Sequence, residues 1–272
     1  MKQKNWFWVA YAGALLALFG LRTAELMVAT EPTTGFLKLS FSFWGIVMAV
    51  ALIGFFVLVI GYAARCLKKE SPAEPGKISC VLSILLAGDF LFMTMSMNTE
   101  GLFTLPLKIS LGVGAVAYLA YGLAGALERR LPRWVPLFFV PMWLFLLLTV
   151  FLDNNDIAAV PERIYSCLML ASCLLSSLYI ARRTAGVLNN GSEKTLFGSC
   201  LISTGLCLIC TFPRYVVALI GEKERLHPFA ASEPLYAVWG LFALAFILEC
   251  FILNKKETSH AAEEPAAEET NL

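Results

Sequence analysis

The stretch ISCVLSILLAGDFLFMTMSM, residues 78–97, decides the fold class. Its one acidic or basic side chain is Asp89. About 20 predominantly apolar residues, rising 1.5 Å each in a helix, cross the roughly 30 Å of hydrocarbon in a bilayer. Pro72, Pro75 and Gly76 before the run and Pro106 after it mark its ends as turns. The run therefore reads as a transmembrane helix.

Seven more runs of this kind lie on either side, at 6–28, 41–64, 107–126, 135–152, 164–181, 196–220 and 235–253. Breakers separate them, among them Pro32, Pro132, the polar stretch 153–156, the Asn189–Gly191 turn and Pro228. Lys2 and Lys4 precede the first run as they would in a secretory signal, but Trp6, Phe7 and Trp8 form an interfacial belt. No small-residue cleavage site follows, so this run reads as a retained helix.

Composition agrees. Apolar residues make up 58% of the chain and charged residues 15%, with a mean hydropathy of +0.72. A soluble domain carries about 25% charged residues, so this chain cannot cover a water-facing surface. The expected architecture is an all-α polytopic membrane protein, a bundle of about eight transmembrane helices over residues 1–256. The acidic stretch 257–272 has little to bury and reads as a disordered tail.

Basic residues set the expected orientation. Fourteen of the 21 lysines and arginines fall on the side of the N terminus if eight spans alternate, and seven fall on the other. This bias places both termini in the cytoplasm and the protein in the cytoplasmic (inner) membrane. A net charge of +1 argues against nucleic acid as a partner and leaves membrane lipids as the expected one.

Several chemistries are excluded by residue type. No Gly-rich phosphate loop, G-x-S-x-G elbow or H-E-x-x-H motif occurs. The two histidines, His227 and His260, lie in a loop and in the tail. A histidine metal site and Ser–His catalysis inside the membrane are thus excluded, and neither metal nor cofactor is expected. Cys207 and Cys210 form a C-x-x-C on one helical face, which reads first as small buried hydrophobes and second as a redox or metal pair.

An ionisable group at mid-membrane costs several kcal/mol unless a partner or polar cavity receives it, so it is a functional candidate by default. Asp89 lies near the middle of its run beside Gly88, where a neighbouring helix or ligand can approach. A carboxyl kept protonated there suits a general acid. Arg214, after Pro213 in the seventh run, reads either as a lipid-phosphate contact or as an arginine snorkelling to the interface. Tyr118, Tyr121, Tyr165, Ser203, Thr204 and Tyr236 are candidates for a polar lining. Arg22 and Glu25 read as an interfacial ion pair and Glu249 as an interfacial carboxylate.

With these residues in place, the chain resembles the YhhN, or lysoplasmalogenase-like, membrane proteins. Ser83 and the Gly88–Asp89 pair match that family's third helix. Tyr121 matches the last Tyr of its fourth-helix motif, with Tyr118 where His is usual. Tyr165 and Met169–Ala171 resemble the start of its sixth helix, and Tyr236 the start of its last. Gly198 and Ser203 fit the seventh, but Thr204 stands where the family has a second Asp. The resemblance implies a hydrolase that cleaves the vinyl ether of lysoplasmalogens, with Asp89 as acid or base and a lysophospholipid in a polar cavity. A carrier or sensor using Asp89 as a proton or polar-solute site is the alternative. The missing second carboxyl puts hydrolysis in doubt, because two carboxyls would divide protonation from cation stabilisation.

Overall fold

A computed structural model describes residues 2–29, 42–66, 76–97, 104–152, 161–188, 192–221 and 233–253. The acidic tail lies outside the described residues. The protein is an eight-helix bundle, and no strand occurs among the described residues. The helices are α1 Lys2–Ala24, α2 Ser42–Cys66, α3 Lys77–Ser96, α4 Thr104–Ala126, α5 Pro141–Leu152, α6 Pro161–Thr184, α7 Ser192–Leu219 and α8 Glu233–Leu248. Eight helical spans are long and apolar enough to cross a membrane. Exposed Val, Ile, Leu and Phe side chains form their outer faces, as a lipid-facing surface requires.

The fifth run is not one uniform helix. A 3-10 turn at Val135–Phe139 precedes the 12 residues of α5. Pro136 and Pro141 lack an N–H and cannot continue an upstream helical ladder, so the span is assembled from two pieces. Two other helices end in π-helical turns, Glu25–Ala29 after α1 and Glu249–Leu253 after α8. Each π turn begins at a buried glutamate.

The longest helix, α7, runs through the middle of the bundle and packs on α1, α2, α6 and α8. Its most apolar stretch is 78% buried, against 22% for the peripheral α2. Lipid tails are as apolar as leucine, so helices associate by close packing and interhelical hydrogen bonds rather than by the hydrophobic effect. Small residues on α7 make this possible: a Cβ on Gly205 would run into the Phe55 ring of α2. Buried hydroxyls spend their hydrogen on the preceding turn, as Ser83 does on the Cys80 carbonyl at 2.8 Å and Thr211 on Cys207 at 2.7 Å. Tyr11 of α1 donates across the bundle to the Leu201 carbonyl at 2.8 Å.

Aromatic contacts fix which helix ends meet. Phe7 near the start of α1 stacks on Tyr62 near the end of α2, with centroids 3.6 Å apart. Both lie against Phe197 at the start of α7, which meets Phe251 beyond the end of α8. We call this the near end of the bundle and the opposite one the far end.

At the near end, Glu249, read from the sequence as an interfacial carboxylate, turns inward. It is 3% exposed and caps the first turn of α3. Its oxygens accept the backbone N–H groups of Gly76 at 3.0 Å, Ile78 at 2.7 Å and Ser79 at 3.1 Å. Those are orphan donors of a helix start, and the carboxylate also faces the positive end of the helix dipole. Gly76 offers no side-chain cap of its own. A Cβ there would lie 2.6 Å from the carboxylate, so a larger residue would displace the Glu249 cap.

The pairing of α3 with α4 depends on a different glycine from the one the sequence pointed to. A Cβ on Gly88 would meet nothing within 4 Å, because Gly88 faces outward. A Cβ on Gly122 would lie 2.7 Å from the Cys80 carbonyl and 2.6 Å from the Ser83 hydroxyl. Overpacking a tight contact costs about 1–3 kcal/mol, and losing a charged cap costs about 1–2 kcal/mol. Gly122→Val and Glu249→Ala are therefore each expected to lower the unfolding midpoint in detergent, whereas Gly88→Ala is expected to hold or raise it. Thermal unfolding of the three purified variants checks this ordering.

Candidate functional site

Asp89 stands apart from the other candidates. It sits on α3 at the margin of the outward stripe formed by Val81, Leu85, Gly88 and Phe92, and is itself half-exposed. Its Oδ2 is shielded but accepts no hydrogen bond. No hydrogen bond or ion pair joins Asp89 to Tyr118, Tyr121, Tyr165, Ser203, Thr204, Arg214 or Tyr236. The described residues thus do not build the expected polar chamber around this carboxyl. The reason lies in helical phase. The inward face of α3 carries Ser79, Ser83, Leu86, Phe90 and Met93, and position 89 falls outside that arc.

The remaining candidates do come together, as a buried seam through α4, α5, α6, α7 and α8. Trp239 of α8 is its centre. Its indole N–H donates to Ser203 Oγ of α7 at 2.9 Å. Its ring lies 4.7 Å from Trp143 of α5 and 6.1 Å from Tyr118 of α4. Ser203 in turn lies 3.5 Å from the Cys173 sulfur of α6. Thr204 donates to the Gly240 carbonyl at 3.0 Å, tying α7 to α8. Tyr236 of α8 is fully buried. Towards the near end, Tyr118 stacks on Phe139 with centroids 4.3 Å apart, and Tyr121 sits edge-on to the same ring.

At the far end the seam meets charge. Arg22 and Glu25 form an ion pair at 2.7 Å, with side chains 2% and 1% exposed. The pair is sealed inside the protein at this end of the bundle. Tyr165, at the start of α6, serves both partners. Its hydroxyl lies 3.3 Å from each Glu25 oxygen, and its ring lies 4.1 Å from the Arg22 guanidinium carbon. The ring face attracts the cation while the phenol donates to the anion. Cys210 on α7 lies 4.0 Å from the Tyr165 carbonyl. Arg214, one turn further along α7, is 3% exposed. The π turn that begins at Glu25 packs on α7, which brings this arginine to the same end.

The seam offers hydroxyl, phenol, indole and thiol groups in its middle and a carboxylate at each end. Glu25 is engaged by Arg22 and Tyr165, and Glu249 by three backbone amides. Among the described residues no group of three His, Cys, Asp or Glu side chains is placed to hold a metal. Sequence reasoning missed Trp143, Trp239 and Cys173, which look like ordinary apolar helix residues. It also missed that Arg22 and Glu25 are buried. Their spacing shows the pair, but only the fold supplies Tyr165.

Removing one partner of a buried pair leaves an uncompensated charge and costs about 3–5 kcal/mol, whereas replacing both by apolar residues is often neutral. Arg22→Leu is accordingly expected to unfold far below wild type, and Arg22→Leu/Glu25→Leu to recover most of the loss. Denaturation in detergent measures both; an unchanged single variant would contradict the burial of the pair.

The chain matches no family model, no curated protein and no solved structure. The resemblance to the lysoplasmalogenase-like proteins therefore rests on its short motifs alone.

Proposed function

We propose that this protein binds an anionic single-chain lipid within the membrane, at the far end of its helix bundle, and acts as a carrier or sensor. The observation that carries this reading is the buried Arg22–Glu25–Tyr165 cluster at the same end as buried Arg214. Charged groups inside a membrane protein are costly and mark ligand or ion sites. Arg22 and Arg214 are both buried at this end, and guanidinium groups held out of water are the chemistry that recognises a phosphate or carboxylate head group. Arginine is always charged and binds such groups through a planar fork. The acyl chain of the ligand would lie along the apolar flank of the bundle. The bias of basic residues towards the near end supports an orientation in which the site faces away from the cytoplasm.

Ether hydrolysis is the second reading. It is favoured by one observation, a shielded Asp89 oxygen without a hydrogen-bond partner at bilayer depth. It asks for a second carboxyl close by, and Thr204 instead bonds to the Gly240 carbonyl.

Titration of the protein in nanodiscs with lysophosphatidic acid and with monoacylglycerol separates these ideas. The phosphate-bearing lipid is expected to bind and the neutral one not. Losing one charge-assisted hydrogen bond, about 1.5–3 kcal/mol, corresponds to a roughly 10–100-fold weaker affinity, expected for Arg214→Leu. Asp89→Asn is expected to bind like wild type. Equal binding of the neutral lipid would end the proposal. Aldehyde release from a lysoplasmalogen by the wild type, abolished in Asp89→Asn, would favour the hydrolase.

A further inference from the structure

The seam contains a feature that lipid binding does not use. Cys207 does not pair with Cys210, its C-x-x-C neighbour on the same helix. Its sulfur instead lies 3.5 Å from the sulfur of Cys173 on α6. Both side chains are fully buried, and both positions fall near the middle of their helices. We propose that Cys173 and Cys207 are a reversible disulfide site that locks α6 to α7.

The 3.5 Å approach of the two sulfurs favours this pair over the C-x-x-C neighbours. A disulfide requires sulfurs about 2.05 Å apart, so the two must close by roughly 1.5 Å. Cys207 and Cys210 lie three residues apart on one helix, but the sulfur that approaches Cys207 to 3.5 Å is that of Cys173. Cys173 and Cys207 extend from two separate helices that pack along their length, and a small shift of either joins them. Cys207 is held against α8: a Cβ on Gly240 would lie 3.0 Å from the Cys207 Cβ. The Ser203 hydroxyl reaches both thiols and lies 3.5 Å from the Cys173 sulfur. A hydrogen-bond relay runs from the Trp239 indole N–H to the Ser203 hydroxyl and on to the Cys173 sulfur.

The oxidant is a small neutral peroxide, hydrogen peroxide in the simplest case. The Cys173 sulfur attacks one peroxide oxygen and the O–O bond breaks. The thiol proton leaves with the other oxygen as water, and Cys173 becomes a sulfenic acid. The Cys207 sulfur then displaces the hydroxyl from Cys173, which departs as a second water carrying the Cys207 proton. Two thiols are oxidised by two electrons and one peroxide is reduced to two waters. The bond would join the helix that carries Tyr165 to the helix that carries Arg214, and so freeze the frame of the far-end cluster. The inference stands on the thiol geometry and does not depend on what that cluster binds.

Thiol counting on the full chain tests it. The protein in nanodiscs is treated with hydrogen peroxide, quenched with catalase, denatured in SDS and alkylated with N-ethylmaleimide. Of the 8 cysteines in the chain, two are expected to escape alkylation and to be recovered by dithiothreitol. Peptide mapping of the wild type is expected to find Cys173 joined to Cys207, a readout that needs no variant to fold. Cys173→Ser and Cys207→Ser are each expected to abolish the protection, and Cys210→Ser to keep it. Full alkylation of the peroxide-treated wild type would overturn the proposal. So would a mapped link through Cys210, or protection that survives in Cys207→Ser.

Discussion

Hydrocarbon offers no hydrogen bonds, so every polar group that the chain brings into the bilayer needs a partner from the chain itself. This one constraint explains the most unusual contacts in the protein. Glu249 takes up the three amides that the start of α3 would otherwise leave open. Tyr165 serves both halves of the Arg22–Glu25 pair, one with its ring and the other with its hydroxyl. Trp239 delivers its N–H to Ser203, and Thr204 its hydroxyl to Gly240. Each of these bonds crosses from one helix to another, so polar satisfaction and helix assembly are the same events.

The two π-helical turns fit the same logic. A π turn widens the helix by one residue and redirects the side chains around it, and such turns recur at functional positions. Here each begins at a buried glutamate, and each of those glutamates is drawn to a fixed partner on another part of the bundle. The bundle therefore has a clamp at either end, with α7 and its small residues filling the space between. An ion pair at one end and a capped helix at the other are different chemistries with a shared geometric cause.

The eight spans were legible in the sequence because hydropathy over some twenty residues reports a long-range average, which single misplaced residues do not disturb. The break in the fifth run had a visible signal in Pro136 and Pro141, although the run reads as continuous by hydropathy. The site was legible only in its residue types. Tyr118, Ser203, Thr204 and Tyr236 do lie in one interior seam, yet nothing in their spacing shows that Trp239 joins them. Asp89 was singled out by depth, and depth says nothing of helical phase; its run has no clean polar stripe from which the inward face could be read. Arg22 and Glu25 looked like interface residues because they sit at the end of a run, and their burial comes from α6 and α7, far away in sequence. Gly88 drew attention as the neighbour of Asp89, while the glycine that sets the α3–α4 crossing lies on the other helix.

The proposed lipid site is the charged far end of the interior seam and not Asp89. Photocrosslinking reads this directly. A lysophosphatidic acid carrying a diazirine near its phosphate would be activated in nanodiscs with the full chain, and the adducts mapped by mass spectrometry. The account predicts labels on the last turns of α1, the first turns of α6 and the last turns of α7. Labels concentrated on α3 around Asp89 would contradict it.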